Sequence, residues 1–177
     1  MFSLAKTAAI SVLAVPFFVS SPAAAAPASY TDGPCQGISG VTVVVDATHF
    51  AGAKVTRRCV AGDPETAFEA LSEAGFAPVH GTGQGQQGPY QYLCRIDARP
   101  SSSADPCTGF VSGAPYWAYW VPDAQNANWT YADDGVDTSD PAPGTVLGFS
   151  FGAGTASDPN QMSLTLAQAK DPNWTGS

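Results

Sequence analysis

The sequence is poor in charge, and above all in positive charge. Of its 177 residues only 7 are Lys or Arg, against 15 Asp or Glu, which gives a formal net charge of −8. Proteins that bind nucleic acids neutralise phosphates with clustered Lys and Arg. The composition therefore argues against nucleic acid as a partner.

Low charge does not make this a disordered chain, because 44% of the residues are hydrophobic and 11% are aromatic. The chain is also rich in helix breakers, with 18 Gly and 15 Pro. These residues favour loops and strands over long helices. Without the N-terminal targeting segment described in the next paragraph, the chain has about 150 residues, a size typical of one domain.

Long apolar runs are absent except near the N-terminus. Lys6 precedes an apolar stretch over residues 8–19, and small residues follow over 21–26. This order predicts a secretory signal peptide over residues 1–26, since the apolar stretch is too short to cross a bilayer. An uncleaved anchor or a buried helix is the alternative. We expect a secreted product, extracellular or associated with the cell envelope, with no membrane span after cleavage.

Cysteines are few and all lie in the exported part. They are Cys35, Cys59, Cys94 and Cys107. Exported thiols tend to oxidise in pairs, and four cysteines allow three connectivities. Sequential pairing, 35 with 59 and 94 with 107, keeps partners close and is the pairing we favour. A four-cysteine zinc site is the alternative, but the sequence lacks any C-x-x-C spacing.

Alternating and β-branched segments predict a sheet with one helix. The predicted strands cover residues 41–46, 54–60, 90–96, 116–121, 129–131 and 145–151. The predicted helix has Asp63 as N-cap and Pro64 as its first residue, and it ends at Gly75. Residues 81–88 are predicted to be a flexible loop. The fold class is therefore α+β, with a mixed sheet and one helix packed on one face.

The expected organisation is a signal peptide (1–26), an N-terminal extension (27–37), one domain (38–151) and a weakly ordered tail (152–177). The tail boundary follows from composition, which turns to Gly, Ala, Ser, Asp and Asn after Gly152.

Several motifs, in their order along the chain, resemble a known group. They include the helix segment 66–76, the strand 93–97, the aromatic segment 116–120, Trp-Thr-Tyr at 129–131 and the segment 143–149. This order is similar to that of small secreted actinobacterial proteins, which in turn resemble the C-terminal domain of transcobalamin and intrinsic factor. The resemblance covers about residues 38–151. It implies a β-grasp-like sheet and a small-ligand role. In the vitamin carriers a helical barrel domain also holds the cobalamin, and this chain has no such barrel.

The aromatic strands are the strongest functional signal. Alternation sends Tyr116 and Trp120 to one face of the sheet and Trp117 and Tyr119 to the other. Because one helix covers only one face, some of these rings are expected to remain near the surface and to stack on a flat or sugar-like ligand. The alternative is that they form core. The candidate ligand-binding residues are Tyr116, Trp117, Tyr119, Trp120, Trp129 and Tyr131.

Catalytic motifs are weak. Residues 148–152 match G-x-S-x-G around Ser150, but the segment that follows is a poor helix and both histidines, His49 and His80, lie upstream. Residues 83–88 match G-x-G-x-x-G but precede a strand rather than a helix. We expect no catalytic residues and no cofactor.

Metal ligands are also few. Both histidines are expected to be surface residues rather than ligands. Four carboxylates within residues 133–140 could supply a calcium loop, but they do not match the EF-hand spacing. They are Asp133, Asp134, Asp137 and Asp140. A solvated acidic loop is the preferred interpretation.

Three functions remain open. The first is a secreted, non-enzymatic module that binds a small molecule or a cell-surface component. The second is a protein-interaction subunit of a cell-envelope complex that uses an exposed strand edge. The third is an extracellular hydrolase built from Ser150 and a histidine. The ligand and the oligomeric state do not follow from the sequence.

Overall fold

The computed structural model describes residues 30–86 and 88–176. The predicted signal peptide, residues 1–26, lies outside the described residues. Eight strands and two helices follow in the order β1 (Tyr30–Asp32), β2 (Val41–Asp46), β3 (Val55–Val60), α1 (Ala67–Glu73), β4 (Pro78–Gly85), β5 (Gly88–Ile96), β6 (Tyr116–Pro122), β7 (Trp129–Tyr131), β8 (Val146–Gly152) and α2 (Leu166–Lys170).

The main sheet has six strands in the order β1-β3-β2-β8-β6-β7, and β4 with β5 forms a separate two-stranded sheet. The central neighbours β2 and β8 run parallel, while β3 pairs antiparallel with β2 and β6 with β8. The predicted α+β class with a mixed sheet is confirmed at this level.

Helix α1 covers one face of the main sheet through Ala67, Ala70 and Leu71. Its predicted start was wrong: Thr66 is the N-cap, and its side-chain oxygen accepts a hydrogen bond from the Glu69 backbone N–H at 3.0 Å. A Thr followed three residues later by Glu is a strong capping signal, and it displaces the cap from Asp63 to Thr66.

The opposite face is covered by the segment after β8, which the sequence had predicted to be a weakly ordered tail. Leu164, Leu166 and Ala169 pack on Val44 and Val146 as a second apolar cluster. The chain therefore has a second helix, α2, on the face that was expected to lie open.

Two buried or half-buried polar side chains hold this segment to the sheet. The Asp46 carboxylate, 3% exposed at the end of β2, accepts a hydrogen bond from the Ser163 backbone N–H at 2.6 Å. The Arg57 guanidinium of β3 donates to the carbonyls of Gln168, Ala169, Asp171 and Trp174 and stacks on the Trp174 ring. The helix carbonyls at the C-terminus of α2 thus obtain a cationic partner.

The hairpin of β4 and β5 replaces the flexible loop predicted for residues 81–88. Gly81 lies opposite Tyr92 and Gly83 opposite Tyr90 in the register. A Cβ added at either glycine would lie 2.3 or 2.4 Å from the facing ring. The glycines therefore make room for two tyrosine rings, a packing role that glycine composition alone does not reveal.

Both predicted disulfides are confirmed, Cys35 with Cys59 and Cys94 with Cys107. The first ties the predicted N-terminal extension to β3, where β1 also pairs. The second ties the loop over residues 97–115 to β5. In the described part of the chain, no helix is long and apolar enough to cross a membrane.

Candidate functional site

Two of the predicted site residues on β6 belong to the core. Trp117 is 4% exposed, and its indole N–H donates to the Arg99 carbonyl at 2.8 Å. Tyr119 is 6% exposed and stacks on Phe149 with ring centroids 5.2 Å apart. Burial raises the pKa of the Tyr119 hydroxyl, which is hydrogen-bonded to Ser139 at 2.8 Å. Both rings are mostly enclosed by the protein, yet each also forms part of the wall of a surface cavity described below.

Trp120 and Trp129 are half-buried under the C-terminal segment. The Trp120 indole N–H donates to Ser150 Oγ at 2.8 Å, and that of Trp129 donates to the Leu164 carbonyl at 2.9 Å. Because both indole donors are used inside the protein, these rings fasten the covering segment rather than face solvent.

Tyr116 at the start of β6 and Tyr131 at the end of β7 remain accessible. Tyr131 is 50% exposed. Desolvation and a hydrogen bond with Tyr116 raise the pKa of the Tyr131 hydroxyl to about 12. The Tyr131 ring also meets Trp120 edge-on at 5.5 Å. Both tyrosines line the same cavity as Trp117 and Tyr119.

Three further aromatic residues near this position were not among the predicted site residues: Tyr90, Tyr92 and Phe110. The Tyr90 and Tyr92 ring centroids are 6.2 Å apart. The Phe110 ring lies edge-on to Tyr92 at 5.9 Å and to Tyr116 at 5.5 Å. We call Tyr90, Tyr92, Phe110, Tyr116 and Tyr131 the aromatic row. Phe110 is 45% exposed and its neighbour Val111 is 68% exposed. An apolar Phe-Val pair within a Gly, Pro and Ser-rich loop is the signal that could have indicated this position.

Two cavities adjoin each other at the aromatic row, and the residues that line both of them are Tyr92, Leu93, Phe110 and Tyr116. The apolar cavity, about 410 Å³, lies under the 97–115 loop, with Phe50 and Phe151 among its walls. The second, which we call the acidic cavity, is about 420 Å³ and includes Tyr131, Val136, Asp134 and Asp137. Each lies within the size range of small-molecule sites.

The acidic loop that borders the second cavity is held by His80. His80 Nε2 lies 2.7 Å from Asp137 Oδ1, and the imidazole stacks on Phe68 at 3.8 Å between ring centroids. This contact joins the β4–β5 hairpin, helix α1 and the acidic loop. The cavity walls are thus fixed by packing and by a hydrogen bond.

The acidic loop does not form a cluster of metal ligands. Across residues 30–86 and 88–176, the only three potential side-chain ligands that converge within 4.8 Å are Cys94, Asp105 and Cys107, and the two cysteines are joined in a disulfide. No three of the four carboxylates of residues 133–140 come together in this way.

Ser150 and His49 line a further cavity of about 450 Å³ together with Asp158. His49 Nδ1 lies 3.2 Å from Asp158 Oδ1. In a catalytic triad an acid at this distance orients the histidine. Ser150, however, is 2% exposed and donates its hydroxyl to the Asn160 carbonyl. A nucleophile needs its hydroxyl directed at the base, so this serine is held in a structural contact.

The G-x-S-x-G pattern has a packing explanation in this fold. A Cβ on Gly148 would lie 3.0 Å from Met162 and Trp129, and one on Gly152 would lie 2.5 Å from the Pro159 carbonyl oxygen. Both glycines let the C-terminal segment approach β8 closely.

No protein-family model and no curated protein matches the chain.

Proposed function

We propose that this protein is a secreted, non-enzymatic module that binds a small molecule or the exposed end of a cell-surface component at the aromatic row. The observation that carries the proposal is the pair of cavities that share Tyr92, Phe110 and Tyr116. Two adjoining cavities of this size with aromatic walls accommodate a flat ligand that spans both.

The proposal of secretion is supported by the two disulfides, which persist in oxidising compartments. They also bear on the site itself. The Cys94–Cys107 bridge holds the loop that carries Phe110 against β5, and the Thr82 backbone N–H donates to the Cys107 carbonyl at 3.0 Å. A preformed site loses less conformational entropy on binding than a mobile loop does.

The finer fold proposed is a β-grasp-like domain related to the C-terminal domain of transcobalamin and intrinsic factor. Its support is the order of β2, β3, α1, β6 and β8, with the first and last of these strands parallel and adjacent at the centre of the sheet. The relation suggests a small-molecule ligand without specifying cobalamin.

The two alternatives have less support. The outermost strands of the main sheet, β1 and β7, have three residues each, so they offer little edge for strand addition by a partner. For a hydrolase, Ser150 would have to break its contact with Asn160 and become accessible.

The test is a fluorescence titration with the neutral apolar probe N-phenyl-1-naphthylamine. We expect saturable binding at one site. Phe110→Ala should weaken it about fivefold, since an aromatic contact contributes ~1 kcal/mol.

The matched control is Ile38→Ala, because Ile38 is 89% exposed and lines neither cavity. It should bind the probe as the native protein does. Absence of saturable binding, or an equal affinity in Phe110→Ala and the native protein, would overturn the proposal.

A further inference from the structure

The charged side chains that line the two cavities are all acidic. Asp105 is the charged residue that lines the apolar cavity, and Asp134 and Asp137 line the acidic cavity. No Lys, Arg or His lines either cavity within the described ranges 30–86 and 88–176. The chain as a whole carries a formal charge of −8.

Two cationic side chains of the β4–β5 hairpin, Arg95 and His80, line neither cavity. The Arg95 guanidinium donates to the backbone carbonyl of Asp105 in the 97–115 loop. His80 contacts Asp137 from the side of the hairpin and is stacked on Phe68. An anionic ligand would meet carboxylates in both cavities and no lining cation to pair with.

The rings themselves also favour positive charge. The faces of Tyr92, Tyr116 and Tyr131 carry the negative end of the aromatic quadrupole and attract cations within about 6 Å. Burial, with a smaller contribution from Asp105, raises the pKa of the Tyr92 hydroxyl above its ordinary value, so this phenol adds no negative or positive charge of its own near neutral pH.

We propose that the ligand is an amphipathic cation, whose apolar or aromatic body occupies the apolar cavity under Phe110 and whose ammonium group lies among the tyrosines beside Asp134 and Asp137. This rests on the proposed function, since it assigns a ligand class to the same site. The amine charge pairs with carboxylates and ring faces at one end, while the body replaces water along Phe50 and Phe151 at the other.

The experiment compares three indoles that share one apolar body and differ in charge: tryptamine, tryptophol and indole-3-propionate. Each is used to displace N-phenyl-1-naphthylamine at neutral pH. We expect tryptamine to bind about tenfold more tightly than tryptophol, and indole-3-propionate more weakly than both. Added salt should reduce the preference for tryptamine, because exposed charges are screened.

The variant that isolates the cause is Asp134→Asn together with Asp137→Asn, which keeps the shape of both side chains. It should lower the tryptamine affinity to about that of tryptophol and leave tryptophol binding unchanged. The matched control is Asp133→Asn, which removes the neighbouring exposed charge without altering the cavity lining. Thermal unfolding of each variant verifies that the fold is retained.

The outcomes separate the two proposals. If the neutral probe binds and Phe110→Ala weakens it, but the three indoles bind equally or the anion binds best, the inference of a cationic ligand is overturned and the proposed function stands. If the double variant still prefers tryptamine over tryptophol, the assignment of the ammonium site to Asp134 and Asp137 is overturned. The same holds if Asp133→Asn reduces this preference as much as the double variant does. If neither the probe nor any indole binds, both proposals fail.

Discussion

At the scale of single residues, the phenol pair Tyr116 and Tyr131 is the part of the site with a measurable chemical signature. Desolvation and the hydrogen bond with Tyr116 hold the pKa of Tyr131 at about 12, against an ordinary value of 10.0. The fold thus favours the neutral phenol. This contribution to stability is complete below about pH 10, the unfolded-state pKa, and it is lost as the pH rises through about 12.

We predict that Tyr116→Phe lowers the pKa of Tyr131, because it removes the hydrogen bond but leaves most of the desolvation. Near-ultraviolet absorbance during alkaline titration measures phenolate formation directly. The control is Tyr30→Phe, at the opposite edge of the sheet, which should leave the most alkaline phase unchanged. An unchanged alkaline phase in Tyr116→Phe would contradict the hydrogen-bonded pair.

The alternation of residues along β6 predicts which side chains share a face of the sheet, but not which face is buried. Alternation along β6 correctly separates Trp117 and Tyr119 from Tyr116 and Trp120. It does not say which face will be covered, because that depends on residues more than 30 positions away, such as Leu164 and Leu166. Phe110 was missed for a related reason: it lies in a loop without periodicity, and its position is set by packing against Tyr92 and Tyr116.

At the scale of elements, α2 is the clearest case of a segment stabilised by tertiary contacts. It has five residues, far too few to be stable in isolation. Its Thr165 and Gln168 form a reciprocal cap at the N-terminus, and Arg57 contacts carbonyls at the other end. Local composition predicted weak order for this segment. It contains no information about the contacts that Arg57 makes from β3, more than 100 positions earlier in the chain.

We predict that Arg57→Lys releases α2 from the sheet at a cost of ~1–2 kcal/mol, since an ammonium cannot span four carbonyls as a guanidinium does. Hydrogen exchange of residues 163–174 should accelerate, and the urea midpoint should fall. Arg99→Lys is the matched control, because the same substitution there affects an exposed side chain. Equal exchange rates in Arg57→Lys and Arg99→Lys would show that the contacts contribute little.

The strands were more predictable than the helices and loops. Strands β2, β3, β5, β6, β7 and β8 lie where alternating or β-branched residues predicted them, and all except β7 contribute buried residues to the core. The β4 strand was missed because Gly81 and Gly83 are poor strand formers in isolation. Their place is set by the rings of Tyr92 and Tyr90 on the paired strand.

At the scale of the whole molecule, coverage of both faces of the main sheet decides where a ligand can bind. Helix α1 covers one face and the C-terminal segment covers the other. Exposed aromatic rings then lie between the β4–β5 hairpin, the 97–115 loop, β7 and the acidic loop. The candidate site is therefore formed by elements from three separate parts of the chain.

The most direct test of this account is amide NMR of the protein during titration with tryptamine. The account predicts chemical-shift changes concentrated in residues 91–93, 108–116 and 131–137. Shifts clustered instead around His49, Asp158 and Met162, or no saturable shifts at all, would contradict it.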